Sequence, residues 1–365
     1  MGIQDDTLQA TYLGMPTWVG RSPTNNFNFL TSRLWKRLNG WSDRPLSRAG
    51  KEVLLKSVAQ AIPTYVMSCF QIPIGVCEKM RKPISNYWWG VEDGKRKLHW
   101  KSWKWLSSPK HLGGMGFRDM AIFNQAMLGK QCWRLLTNAN SLCAKVLKGR
   151  YYPEGDFWTA KCPRSSSYTW RILIYGRKFL QKGLLWRVGD GNKIHTYEDN
   201  WIPDIAPTTL QHISSRSGND MVSSLIIKGE HKWNEETIRN IFSEDISEKI
   251  LSLPLSTEGC PDFVSWPHTK DGVYTVRSAY NFLRTLNFWS DRSTDGKGAI
   301  SDHKIMEKIW RKLWAIQCPN KMKVILWRLA HNCLPTGAQL QVRSIPTRYD
   351  CHFCNREETI EHCFL

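Results

Sequence analysis

Apolar residues recur at steps of three and four from Phe27 through Leu30, Leu34 and Leu38, while Arg33, Lys36 and Arg37 fall on other faces. That period predicts an amphipathic helix, which Thr24 can cap. A second helix is predicted from Ser47, carrying Val53, Leu54, Val58 and Ala61 until Pro63 disturbs it, and a third over Cys77 to Trp89. The same period marks Asn124 to Leu136 and Ser141 to Lys148, then shorter pieces at Asn234 to Phe242 and Ile246 to Leu251. The pattern changes in the middle of the chain. Trp186 to Val188 and Lys193 to His195 flank Gly189-Asp190-Gly191-Asn192, which predicts a hairpin. A second hairpin is predicted from Asp262 to Val276, turning at Lys270-Asp271-Gly272 and running into a helix from Ser278. Ile305, Ile309, Leu313 and Ile316 mark a helix ended by Pro319, and Met322, Ile325, Leu326 and Leu329 another that ends near Pro335. Pro203 to Asp220, mixed in Pro, Ser, Thr and Gly, reads as a linker, and Ser290 to Ser301 as a mobile loop. The fold class expected is α+β, mainly α-helical, in three parts: a helical region over 1–150, a hairpin-containing middle over 151–260, and a terminal part over 261–365.

Composition adds a partner to this picture. Lys and Arg number 51 against 32 Asp and Glu, a formal charge of +19. That excess is beyond what solubility requires and points to a polyanion. The densest basic and aromatic stretch holds Lys95, Arg96, Lys97, Trp100, Lys101, Trp103, Lys104 and Trp105, where cations could meet phosphates and rings could stack on bases. The alternative, equally open at this point, is that the tryptophans pack inward and the lysines are only solvated. Eleven scattered cysteines with no preceding apolar signal read as reduced thiols of an intracellular protein, nucleus or cytoplasm being unresolved. The most apolar run, Val53 to Phe70, is interrupted by Lys56, Gln60 and Pro63, so no membrane span is expected.

Candidate chemistry gathers near the last residues. Cys351 and Cys354 have the C-x2-C spacing with which two thiolates bite one tetrahedral zinc ion, and His362 follows. These are three ligands where a structural site takes four, and a lone C-x2-C is often a turn with two free thiols. Gly113-Gly114-Met115-Gly116 lacks the Lys-Ser/Thr ending of a phosphate-binding loop and reads as a structural turn. Asp5-Asp6 reads as a solvated pair, because too little chain precedes it for the first strand of a metal-binding hairpin. The histidines ahead of Cys351 provide no His-x-Glu for a zinc deaminase, and there is no Gly-x-Ser-x-Gly elbow.

A series of ordered motifs resembles the C-terminal half of the reverse transcriptases of plant LINE-type, non-LTR retrotransposons, which ends in a reverse-transcriptase zinc-binding domain. The resemblance runs through Tyr12-Leu13-Gly14-Met15-Pro16, Leu46-Ser47-Arg48-Ala49-Gly50-Lys51, Trp88-Trp89-Gly90 and Gly113-Gly114-Met115-Gly116-Phe117-Arg118-Asp119. It continues through Trp186-Arg187-Val188-Gly189-Asp190-Gly191, Asp199-Asn200-Trp201, Gly272-Val273-Tyr274-Thr275-Val276 and Leu326-Trp327-Arg328, and so covers essentially the whole chain. It implies a thumb and connection region followed by a zinc-binding domain over 261–365, with the polymerase palm upstream and an RNase H-like domain often downstream. It implies Zn2+ on Cys351, Cys354 and His362, with a last Cys expected just past Leu365. Cys333, His331 and Cys363 are reserve ligands, although His362 and Cys363 as helix neighbours diverge by about 100°.

The function expected is therefore a non-catalytic, nucleic-acid-binding fragment of a retrotransposon reverse transcriptase. RNA or DNA would be held through its phosphate backbone, with Lys95, Arg96, Lys97, Trp100, Lys101, Trp103, Lys104, Arg33, Lys36 and Arg37 as contacts. The alternative is a protein-interaction or structural module, or a retroelement relic with no nucleic-acid role.

Overall fold

The computed structural model describes residues 11–12, 14–16, 23–92, 95–211, 221–227, 229–255, 260–293 and 300–364; Asp5 and Asp6 lie outside these. Thr11–Tyr12 (β1) and Met15–Pro16 (β2) form a minimal hairpin. The first amphipathic stripe folds in two pieces, Pro23–Asn26 (α1) and Asn28–Asn39 (α2), broken at Phe27 instead of running on from Thr24. Phe27, Leu30, Leu34 and Leu38 are buried as their spacing predicts. Ser47 accepts the Gly50 N–H at 3.2 Å and so caps Arg48–Leu54 (α3). The chain then widens into a π-turn over Leu55–Ala59, and Pro63 separates it from Thr64–Cys69 (α4). Ile74–Trp89 (α5) packs on α2, and its last two residues, Trp88 and Trp89, are buried. Arg48 donates from Nη1 to the Trp88 carbonyl at 2.9 Å and from Nη2 to that of Trp89 at 3.4 Å, satisfying oxygens that a helix end leaves free.

Val91–Glu92 (β3) pairs with Lys95–Arg96 (β4), and Ser102 caps the short helix Trp103–Leu106 (α6). The Gly113-Gly114 turn that follows is structural. A Cβ on Gly114 would lie 1.9 Å from the Ser108 carbonyl oxygen, and Gly113 has a φ of +86°. Met120–Thr137 (α7) then begins, its first turn held by Asp119, whose Oδ1 accepts the N–H of Ala121 at 3.0 Å and of Ile122 at 3.1 Å.

Next come Leu142–Tyr151 (α8), Tyr168–Gly183 (α9), Leu185–Arg187 (β5) and Pro207–Gln211 (α10). Ile226–Ile227 (β6) pairs with Lys232–Trp233 (β7), followed by Glu235–Ile241 (α11), Glu244–Leu251 (α12), Phe263–Ser265 (β8) and Val276–Ser293 (α13). Helix α9 was passed over by the pattern reading, although Ser167 caps it and Trp170, Leu173, Ile174 and Leu180 form its buried face. It meets α7 closely at Gly176, where a Cβ would lie 2.9 Å from the Leu128 carbonyl oxygen and from Cys132 Sγ.

Neither of the two hairpins expected in this region forms. Strand β5 pairs antiparallel with β8, with Trp186 opposite Val264, so one strand from each predicted hairpin is joined to the other. The Gly-Asp-Gly-Asn turn wraps a buried carboxylate instead: Asp262 accepts the N–H of Gly189 at 2.7 Å, of Gly191 at 2.9 Å and of Lys193 at 2.8 Å. The stretch expected to be a linker is anchored over its described part. Leu210 is buried in one cluster with Ile194, Trp201, Ile202, Val222, Ile238 and Phe242, and residues 212–220 lie outside the described ones.

The last stretch holds Ile300–Ala315 (α14), Asn320–Ala330 (α15), Gly337–Gln341 (α16) and Ile360–Phe364 (α17). The expected loop at Ser290 to Ser301 is thus helical at both ends, with residues 294–299 outside the described ones. The chain groups into two compact units, one of Met1–Asn124 with Trp289–Leu365 and one of Gln125–Phe288, so 261–288 belongs to the second. The architecture is α+β and mainly α-helical, its described strands forming short antiparallel pairs. Among the described residues no helix is long and apolar enough to cross a membrane.

Candidate metal centre and basic surface

The cysteine turn is built from backbone hydrogen bonds. Asp350 and Glu357 form an antiparallel bridge, Cys351 N–H donates to the Arg356 carbonyl at 2.7 Å, and Asn355 N–H returns to that of Cys351 at 2.9 Å. Asn355, at a φ of +55°, takes the left-handed conformation that lets the turn close. Helix α17 then brings His362 back to the turn, anchored by buried Ile360, with Thr359 Oγ1 accepting the His362 N–H at 3.1 Å. The result is a cluster in which one ligand atom from each of Cys351, Cys354 and His362 lies within 4.8 Å of the others, and Cys354 Sγ is 3.2 Å from His362 Nε2.

This donor set fits zinc. Bonds of about 2.3 Å to sulfur and about 2.0 Å to nitrogen at tetrahedral angles require donors roughly 3.5–4 Å apart, close to what is present. The N–H of Phe353, the His362 ring and the N–H of Cys354 all favour charge on the Cys351 sulfur and bring its thiol down to about 7, toward the thiolate that binds metal. The reserve ligands are not part of this cluster. His331 Nε2 is engaged with the Gly113 carbonyl at 2.7 Å, and buried Cys333 donates from Sγ to the His331 carbonyl at 3.3 Å. Burial and the charges of Glu358 and Cys351 push the Cys363 thiol up, away from a ligating form.

The basic residues fall into three groups. Arg33, Lys36 and Arg37 are exposed along α2, joined by Trp35, which is 59% exposed and which the sequence reading did not single out. Lys95 and Arg96 form β4, Lys97 and Lys104 are exposed, and Lys101 is half-buried with its Nζ 5.9 Å from the Trp105 ring centroid. Trp100 and Trp103 do not offer stacking faces. Both are 5% exposed, Trp100 beneath the Arg343 guanidinium at 5.4 Å and Trp103 stacked on Phe117 at 5.0 Å. The inward-packing alternative is therefore the one this stretch adopts for both rings.

The third group was not anticipated and comprises Arg44, Arg48, Lys51 and Arg328. Lys51 Nζ lies 5.0 Å from the Tyr87 ring centroid. Burial, then the charge of Arg328, lowers Arg48 to about 10; burial, then the charges of Arg48 and Lys97, lowers Lys51. Arg44, Arg48 and Lys51 follow one another at steps of four and three, a spacing visible in the sequence, whereas Arg328 joins them only through the packing of α15 on α3.

Residues 274–365 match the family described as zinc-binding in reverse transcriptase. A curated Arabidopsis thaliana protein named for ribonuclease H is 27% identical over 347 residues, 93% of this chain and 54% of that protein, so the chain spans about half its length. An uncharacterised mitochondrial protein of Arabidopsis thaliana is 38% identical over 148 residues, which are 40% of this chain and 96% of that relative. With the cysteine and histidine cluster inside the matched zinc-binding region, and a relative covered almost end to end, the chain belongs to the retrotransposon-derived reverse-transcriptase family.

Proposed function

We propose that this chain grips RNA or DNA through the phosphate backbone, and that its terminal module is fixed by one zinc ion on Cys351, Cys354 and His362. The observation that carries the reading is the cationic face of α2, where Arg33, Lys36 and Arg37 stand exposed together and form no ion pair among the described residues. Lys95, Arg96, Lys97, Lys101 and Lys104 extend the same chemistry, and the formal charge of +19 supplies the long-range attraction. The metal-ligating group of the described residues is two thiols and an imidazole, three of the four ligands that a structural zinc takes, whereas DNA synthesis needs carboxylates that hold two metal ions. We therefore give the chain a gripping role and no joining chemistry of its own. Its eleven free thiols fit a reducing, intracellular compartment.

The test is fluorescence anisotropy with labelled RNA and DNA oligonucleotides over a range of salt. Binding that weakens steeply and linearly in log salt, with little dependence on sequence, is the expected result. Affinity that stays constant as salt rises, or no binding by the folded chain at low salt, overturns the reading.

A further inference from the structure

Arg48, Lys51 and Arg328 are held in place by neutral groups. Arg48 spends Nη1 and Nη2 on the carbonyls of Trp88 and Trp89, with its Cζ 5.5 Å from the Trp89 ring centroid. Arg328 donates from Nε and Nη2 to the Cys333 carbonyl at 3.2 and 2.9 Å. Lys51, one turn along α3 from Arg48, has its ammonium at the face of Tyr87. Carbonyls and rings fix these side chains without neutralising them. Among the described residues none of the three forms an ion pair, and the one carboxylate of α3, Glu52, is taken by Lys56 at 2.6 Å and Lys110 at 3.3 Å.

Arg48 and Lys51 lie one turn apart on α3 and Arg328 on the helix packed against it, and these like charges, partly shielded from water, repel one another. The side chains are also already ordered, so an incoming anion has little freedom left to remove from them. A guanidinium retains further N–H donors after two are used, and its planar fork matches the spacing of phosphate oxygens.

We propose that Arg48, Lys51 and Arg328 form a phosphate cradle, a discrete position for one phosphodiester group of a nucleic-acid strand, where α3, the end of α5 and α15 meet. The cradle locates one contact of the grip described above and rests on that reading. It also gives a side chain of the zinc-binding region, Arg328, a direct part in holding the strand, separate from the metal cluster.

The test uses the intact chain, with tripolyphosphate as the small probe in isothermal titration and a labelled oligonucleotide as the large one. Among the described residues the Lys51 side chain makes no hydrogen bond, only its contact with the Tyr87 ring, so Lys51→Gln leaves the protein folded; Lys82→Gln, an exposed cation on α5, is the control. Lys51→Gln is expected to weaken tripolyphosphate binding about tenfold and to make the oligonucleotide salt dependence shallower by about one contact. Lys51→Arg should restore both, and Lys82→Gln should leave tripolyphosphate binding unchanged. Equal loss in Lys51→Gln and Lys82→Gln means diffuse charge and overturns the cradle. Salt-dependent oligonucleotide binding with no tripolyphosphate site overturns the cradle and leaves the broader grip standing. Tripolyphosphate binding without oligonucleotide binding overturns both, leaving a site for a small polyphosphate.

Discussion

His331 donates its Nε2 proton to the carbonyl oxygen of Gly113, 2.7 Å away and 218 positions earlier in the chain. A carbonyl can only accept, which fixes the tautomer. The same oxygen accepts the Trp327 indole N–H at 2.8 Å, and the imidazole is stacked on Trp310 with ring centroids 4.5 Å apart. The Gly113-Gly114 turn thus receives α14 and α15, and a side chain on Gly113 would meet the Trp310 indole 2.9 Å away. This gives the glycine-rich motif a physical reason: its bare backbone is what two aromatic helices dock on.

The docking should be sensitive to acid. Burial lowers His331 most, the Gly113 hydrogen bond opposes this, the Lys101 charge adds to it, and the result is about 4 against an ordinary 6.5. The folded value lies below the unfolded one, so the unfolded chain takes up the proton first as pH falls. The stability contributed by the neutral ring is fully present above about pH 6.5 and is lost as pH falls toward 4. Because water still reaches part of the ring, the loss should be on the order of 1–2 kcal/mol. Urea melts at pH 7 and pH 5 should show it in the native chain and much less of it in His331→Gln; identical pH dependence in both would reject this account.

Local periodicity made the helices legible because each stripe, such as Phe27 to Leu38, needs only its own spacing to be read. Their ends were less legible: the break at Phe27 and the π-turn at Leu55–Ala59 are set by what each turn packs against. The two hairpins failed for a different reason. A Gly-Asp-Gly-Asn turn is a local signal, but the carboxylate that claims its N–H groups, Asp262, lies 73 positions beyond Gly189. The metal cluster was readable because C-x2-C spacing is itself the chelate geometry. Trp100 and Trp103 were ambiguous because an indole among lysines has the same sequence whether it faces base or core, and only their contacts with Arg343 and Phe117 decide it.

That long-range carboxylate yields the next expectation. Asp262→Ala removes the acceptor of three backbone N–H groups in a buried place, and should destabilise the protein by about 2–4 kcal/mol. Amide hydrogen exchange should speed up at Gly189, Gly191 and Lys193 before it does in α9. If those three amides keep their protection, something other than Asp262 holds the turn.

Zinc content separates the ligands from the reserve candidates. Cys351→Ser, Cys354→Ser and His362→Ala should each lower bound zinc from about one per chain to a small fraction, whereas Cys333→Ala and Cys363→Ser should retain it. Chelation should loosen the turn around Cys351 to His362 and leave the Gly113–His331 contact in place. Retention of zinc by His362→Ala, with loss in Cys363→Ser, would exchange their roles.

The exposed and the buried aromatics should respond in opposite ways. Arg33→Gln, Lys36→Gln and Arg37→Gln together should flatten the salt dependence of oligonucleotide binding by about two to three, since each backbone contact contributes about 0.7–0.9 to the slope. Trp35 stands exposed among these cations, so Trp35→Ala should weaken single-strand binding by about 1–3 kcal/mol if a base stacks on it, with melting unchanged. Trp103→Ala should instead cost about 3–5 kcal/mol of folding stability, because its ring is buried and stacked on Phe117 in the core. Should Trp103→Ala remain fully stable and lose only oligonucleotide affinity, the ring would be a binding face after all, and the electrostatic reading of the stretch from Lys95 to Lys104 would have to give way to a stacking one.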